Sequence, residues 1–113
     1  MCSVDVRLKI LGKVPFFQDL SATDLKEINI LFREIGFAAN ETICFAGDPA
    51  ERLFVVADGR VKLMRDTAVG KSVLFDLLTP GEFFGSLSGL GDDVYSDTAQ
   101  ALTSACILII GRE

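Results

Sequence analysis

The chain has 113 residues, half of them apolar, with 16 acidic side chains against 11 basic ones, no histidine and a formal charge of −5. That length supports one domain around a single core, and the apolar share excludes a disordered chain. The negative balance, with basic residues scattered rather than clustered, excludes bulk electrostatic grip on DNA or on an anionic membrane.

No run approaches the roughly 18 apolar residues of a membrane span. The opening MCSVDVRLKILGKV lacks the basic, apolar and small-residue zones of a signal peptide, so a cytoplasmic setting is expected. Cys2, Cys44 and Cys106 are odd in number and far apart. They read as small buried hydrophobes and a terminal thiol rather than as a disulfide framework or a zinc site. Without histidine the chain lacks the usual general base and any Ser-His-Asp triad, so no enzyme is expected.

In chain order, residues 4–13 place Val4, Leu8 and Leu11 at helical spacing and end at Gly12, which predicts a short helix broken by Pro15. Ser21-Ala22-Thr23-Asp24 has the form of a capping box. Leu25, Ile28, Leu31, Phe32 and Ile35 recur on one face, predicting a helix over about 22–34 with a core-facing stripe. After Gly36 the pattern becomes extended. ETICFAG, RLFVVA, RVKLMRD, SVLFDLL, EFFG and TAQALTSACILII are β-rich runs parted by turn segments. Asp58-Gly59 reads as a type I′ hairpin turn. Short, closely spaced strands predict a sandwich or barrel, so the expected fold is mainly β: a helical lead over 1–35 and an antiparallel roll over 36–113. The apolar last run, CILII, is expected to need covering by something beyond it, which suggests a piece of a longer protein.

Two segments invite a ligand reading. VGKSV, Val69 to Val73, lacks the upstream glycine and following helix of a phosphate loop and reads as a hairpin loop. TPGEFFG gives a turn at Pro80-Gly81, two aromatics, and Gly85 where backbone must turn sharply or approach a ligand closely. SLSGL after it is long enough for a helical turn with Ser86 near its N-cap. Free N–H groups there could hold an anion, or the segment could be an ordinary capped turn.

GDPA at Gly47 to Ala50, FVVADGRVKL from Phe54 to Leu63 and PGEFFG at Pro80 to Gly85, in that order, resemble the cyclic-nucleotide-binding, or effector, domain of the Crp/Fnr bacterial transcription regulators. The resemblance covers about residues 10–113. It implies an antiparallel double-stranded β-helix, a jelly-roll-like β-roll, holding a phosphate-binding cassette. It also implies a dimerisation helix and a DNA-binding helix-turn-helix that are not in this chain, hence a homodimer that meets DNA through an absent domain. In the family's nucleotide binders a cassette Glu takes the ribose hydroxyl and a later Arg pairs with the cyclic phosphate. Those positions read Ser86 and Asp97, the latter allowing for a neighbour in YSDTA.

The exchange has a size. An Arg at about 4 Å from a phosphate is worth on the order of 1 kcal/mol in water-like surroundings and about 4 at an effective dielectric of 20, and an Asp reverses the sign. The swing of roughly 2 to 8 kcal/mol before screening corresponds to at least about a thirtyfold loss of affinity. The expectation is a ligand-sensing regulatory domain that does not hold cyclic AMP or cyclic GMP in the usual way. Its candidate contacts are Gly85, Ser86, Leu87, Thr98 and Ala99, with Glu82 nearby as a polar substitute. No metal and no certain cofactor are expected, and any small-molecule effector is unnamed. Two alternatives stand beside it. One is a genuine nucleotide binder using backbone amides and a substitute cation such as Arg60 or Lys71. The other is a ligand-free structural or dimerisation domain. An iron–sulfur cluster finds only Cys2 near the N-terminus, histidine-bound haem is impossible, and haem on the Cys2 or Cys106 thiolate stays open. Cys44 has no basic neighbour to make it a redox sensor. Whether Tyr95 blocks the space beside Ser86 separates an open pocket from a filled one.

Overall fold

A computed structural model of the chain describes residues 4–85 and 94–111. Helix α1 (Val4–Leu11) leads into a 3-10 turn at Pro15–Phe17, where proline begins a new turn after the break the sequence predicts. Helix α2 (Ala22–Leu31) starts at Ser21, whose hydroxyl accepts from the Asp24 N–H at 3.1 Å. The helix stops three residues earlier than expected, because Phe32 turns extended and Arg33 to Phe37 pair with the last strand. The stripe is correspondingly split. Leu25 and Ile28 are half-buried, Phe32 is buried, and Leu31 faces solvent at 62% exposure. Arg7 of α1 donates to the carbonyls of Asn29 and Phe32 at 3.0 and 2.8 Å, capping the end of α2 and tying the two helices together.

Eight strands follow: β1 (Arg33–Phe37), β2 (Thr42–Cys44), β3 (Arg52–Asp58), β4 (Val61–Asp66), β5 (Ser72–Leu78), β6 (Phe83–Gly85), β7 (Thr98–Ala101) and β8 (Ala105–Gly111). They form two antiparallel four-stranded sheets, ordered β1-β8-β3-β6 and β2-β7-β4-β5. The expected mainly β roll with helices at its N-terminal end is the observed architecture. Two details differ from expectation. The run TAQALTSACILII is two strands in different sheets, parted at Leu102 to Ser104. Asp58-Gly59 is not a hairpin, since β3 and β4 also belong to different sheets. Only Gly59 has positive φ there, +82°, and a Cβ on it would collide with the Ser104 carbonyl oxygen and Ala105. The glycine serves a close crossing between sheets. The tight hairpin lies instead between β4 and β5, across the loop containing Gly70 that the sequence identifies.

Period-2 alternation divides the core in two. On β3 and β8, Phe54, Val56, Ala105, Ile107 and Ile109 point between the sheets, where they meet Val61, Leu63, Ala99 and Ala101. The alternate residues Val55, Ala57, Cys106 and Leu108 pack under Ile10, Leu11, Val14 and Phe32 of the helical lead. The last strand therefore needs no outside cover: Ile107, Leu108 and Ile109 are at most 2% exposed because β8 lies between β1 and β3 beneath the helices. The exposed apolar strand is β5, a sheet edge showing Val73, Leu74, Phe75 and Leu77 to solvent. Among the described residues no helix is long and apolar enough to cross a membrane.

Candidate functional site

The site is built where β6 ends and β7 begins. Phe84 stacks on Phe54 of β3, ring centroids 4.8 Å apart and planes 9° apart, which locks β6 against the sheet. Gly85 follows with φ +84°, and a Cβ there would lie 2.6 Å from the Arg52 carbonyl oxygen and 2.7 Å from the Phe54 ring. The sequence suggests a sharp turn or close approach to a ligand at this glycine; the close approach in the structure is to the neighbouring strand β3. Tyr95 packs against the roll. It is 9% exposed, tilts against Phe54 at 6.0 Å, and its hydroxyl accepts from the Arg52 N–H at 3.2 Å. Burial pushes the Tyr95 phenol above its ordinary range, against the lowering effect of that backbone hydrogen bond.

Between these elements lies a recess of about 50 Å³ open to solvent, lined among the described residues by Cys44, Leu63, Phe84, Gly85, Val94, Tyr95, Ser96 and Asp97. Tyr95 forms one wall without plugging it, and a wider, more open depression of about 260 Å³ lies against Tyr95 beside Pro49, Arg52 and Phe54. Cys44 lies at the inner end of β2, and burial pushes its thiol up to about 11, with Asp48 and Asp97 adding to the rise and a backbone hydrogen bond at Ala99 opposing it. A thiol held neutral in this way is a packing group and not a nucleophile at physiological pH.

Asp97 is the charged residue in this lining. Its carboxylate is largely covered, at 13% exposure, and Oδ1 accepts from Arg65 Nε at 2.9 Å while Oδ2 accepts from the Ser96 hydroxyl at 3.2 Å. Arg65 comes from β4, and its guanidinium lies 4.0 Å from the centroid of the Phe75 ring on β5. The pairing of β4 with β5 skips Phe75, since Leu63 faces Asp76 and Met64 faces Leu74. This bulge sets Phe75 apart from the ladder, and it is the residue beneath the guanidinium.

The other expected contacts fall in different places. Gly85 is in the lining, whereas Thr98 and Ala99 are not among its described residues. Thr98 Oγ1 accepts from the Ala46 N–H at 3.0 Å, and Ala99 is fully buried between Cys44 and Leu63. Glu82 closes its own turn, Oε1 accepting from both the N–H and the hydroxyl of Thr79 at 3.0 and 2.9 Å. Ser86, Leu87 and the helical turn expected after Gly85 lie outside the described residues, as does Cys2. Neither suggested substitute cation lines the recess. Arg60 belongs to the crossing between β3 and β4, and Lys71 to the β4–β5 loop. The cation at Asp97 is Arg65, which sequence reasoning missed. Its signal was the alternation Val61, Leu63, Arg65 on one strand face, together with the placing of β4 beside β7.

Comparison with known proteins agrees with this architecture. The family model described as the cyclic nucleotide-binding domain matches residues 34–113. A cyclic AMP receptor protein from Thermus thermophilus is 30% identical over 88% of this chain and 46% of its own length. A cyclic nucleotide-gated potassium channel from Mesorhizobium japonicum is 31% identical over 88% of this chain and 26% of its own. The chain thus spans about half the length, or less, of these curated relatives. The crystal structure of the N-terminal domain of a transcriptional regulator from Streptomyces coelicolor superposes with a TM-score of 0.83 at 32% identity, covering 90% of this chain and 73% of that one. The chain belongs to the cyclic nucleotide-binding domain family, and its relatives and structural neighbours are consistent with a Crp/Fnr-type effector domain.

Proposed function

We propose that the chain is the ligand-sensing, non-enzymatic domain of a transcription regulator, and that it does not hold cyclic AMP or cyclic GMP through the arginine–phosphate pair its resemblance would imply. One observation carries this reading: among the described residues the charged group in the recess lining is the Asp97 carboxylate, 13% exposed and already paired with Arg65 at 2.9 Å. A cyclic phosphate brought beside it would meet a like charge, and Arg65 Nε is already bonded to that carboxylate. In the whole protein the domain would work as part of a cytoplasmic homodimer that reaches DNA through a domain outside these residues. A ligand would act by binding one arrangement of the following segment better than another, which is all that switching requires thermodynamically.

Isothermal titration of the purified chain with cyclic AMP and cyclic GMP tests the reading. The expected result is no saturable heat at micromolar ligand in the native chain. Binding should appear or strengthen by at least about thirtyfold when Asp97→Arg and Ser86→Glu are introduced together. Micromolar affinity in the native chain would instead favour the genuine nucleotide binder, with backbone N–H groups and a displaced cation holding the phosphate. A native chain silent toward both nucleotides, whose double variant is folded and equally silent, would favour a ligand-free structural role.

A further inference from the structure

The geometry around Asp97 points to more than the loss of a cation. We propose that Asp97 is a resident anion: its carboxylate occupies an anion seat formed by Arg65, and this pair is what sets the recess against anionic ligands. The inference rests on the functional reading above and names the residue that determines specificity at the same site.

Three features make Arg65 a seat and not merely a surface partner. Its guanidinium carbon lies 4.0 Å from the centroid of the Phe75 ring, a contact that favours this placement before any ligand arrives. Phe75 is in turn set apart from the ladder by the bulge in β5. Only Nε is engaged, at 2.9 Å to Asp97 Oδ1, and among the described residues the two terminal amino groups have no hydrogen-bond partner, which leaves donors of a planar fork available.

The carboxylate itself is built in. It is 13% exposed against 47% for Arg65, it lines the recess, and Ser96 donates to its second oxygen. Asp97 therefore stands between the recess and the guanidinium. Truncating it would leave a pre-placed cation facing an empty position the size of a carboxylate. A small oxyanion entering there would recover the hydrogen bond that the carboxylate made and could use the terminal amino groups as well. While Asp97 is present, the portion of any ligand lying against it must be neutral or a hydrogen-bond donor, such as a hydroxyl or an amine.

The test is titration of the native chain, Asp97→Ala, Asp97→Asn and the double variant Arg65→Ala with Asp97→Ala, using inorganic phosphate and then cyclic AMP as probes, with thermal denaturation to establish that each is folded. Asp97→Ala should bind phosphate at least about tenfold more tightly than the native chain, with affinity falling as salt rises. Asp97→Asn should gain less, because its amide oxygen still fills the seat. Adding Arg65→Ala should abolish the gain. A folded Asp97→Ala that binds neither probe while the native chain is also silent overturns the resident-anion inference and leaves the functional reading standing. A gain that survives Arg65→Ala overturns it too, by placing the seat elsewhere. Should Asp97→Ala fail to fold, the Asn variant decides alone: no gain over native contradicts the inference. Micromolar binding of cyclic AMP to the native chain defeats both readings at once.

Discussion

β5 and β8 are both seven-residue apolar strands, SVLFDLL and ACILIIG, yet one is open to solvent on a sheet edge and the other is interior. β8 lies between β1 and β3, with the roll core on one face and the helical lead on the other, so nearly every side chain has a buried destination. β5 has one neighbour, β4, and only Leu78 of its residues is buried. Hydrophobicity selects an extended backbone in both; position in the sheet order decides burial. The consequence reaches the site, because β8 and β3 supply the rigid frame on which Phe84 and Gly85 are fixed, while β5 contributes Phe75 to hold Arg65.

Substitutions on the two strands should differ widely in cost. Ile107→Ala, removing a side chain with no exposed surface, should destabilise the chain by about 2 to 5 kcal/mol in chemical denaturation. Leu74→Ala, 59% exposed on β5, should fall within about 0.5 kcal/mol of native. Equal losses would mean that β5 is covered in solution. Gly85→Ala should approach the Ile107 loss, since it adds a Cβ against the Arg52 backbone at positive φ, and the loss should be structural even without ligand.

Alkaline unfolding sharpens the contrast from the buried side. Burial raises the Cys44 thiol from 9.0 to about 11, so the fold favours the neutral form. Its contribution is fully present below pH 9 and is lost as pH rises through about 11, on the order of 2 to 3 kcal/mol by proton linkage. Tyr95, raised in the same direction, adds to the decline above pH 10. A Cys44→Ala chain should show a shallower decline over that interval, and an unchanged slope would contradict the burial argument. In the native chain Cys44 should resist thiol alkylation at neutral pH until the fold opens.

Smaller effects belong to the exposed side. Ser21→Ala should cost about 1 kcal/mol through loss of the helix cap. Phe75→Ala should cost less than about 1 kcal/mol, since its contact with Arg65 is surface cation–π. Its interest lies in the prediction that it weakens the phosphate binding gained by Asp97→Ala.

Much of the fold was legible because alternation, glycine and proline act locally: the β4–β5 loop, the break at Pro15 and the Ser21 cap all stand where their residues dictate. What escaped the sequence depended on neighbours that no local window contains. β1 was missed because REIGF has no clean alternation and becomes a strand by pairing with β8. Asp58-Gly59 misled because a glycine at positive φ serves a crossing between sheets as well as it serves a hairpin. At the site, Gly85 and the acidic Asp97 could be singled out from the motif. Arg65 could not, because it lies 32 residues from Asp97 and reaches it only through the β4–β7 pairing.

The most direct measurement is isothermal titration of the native chain with cyclic AMP at low and at physiological salt. No saturable heat at micromolar ligand under either condition is the result predicted by an Asp97 carboxylate seated on Arg65. Saturable micromolar binding at physiological salt would contradict the account, because a phosphate would then be held tightly beside a like charge.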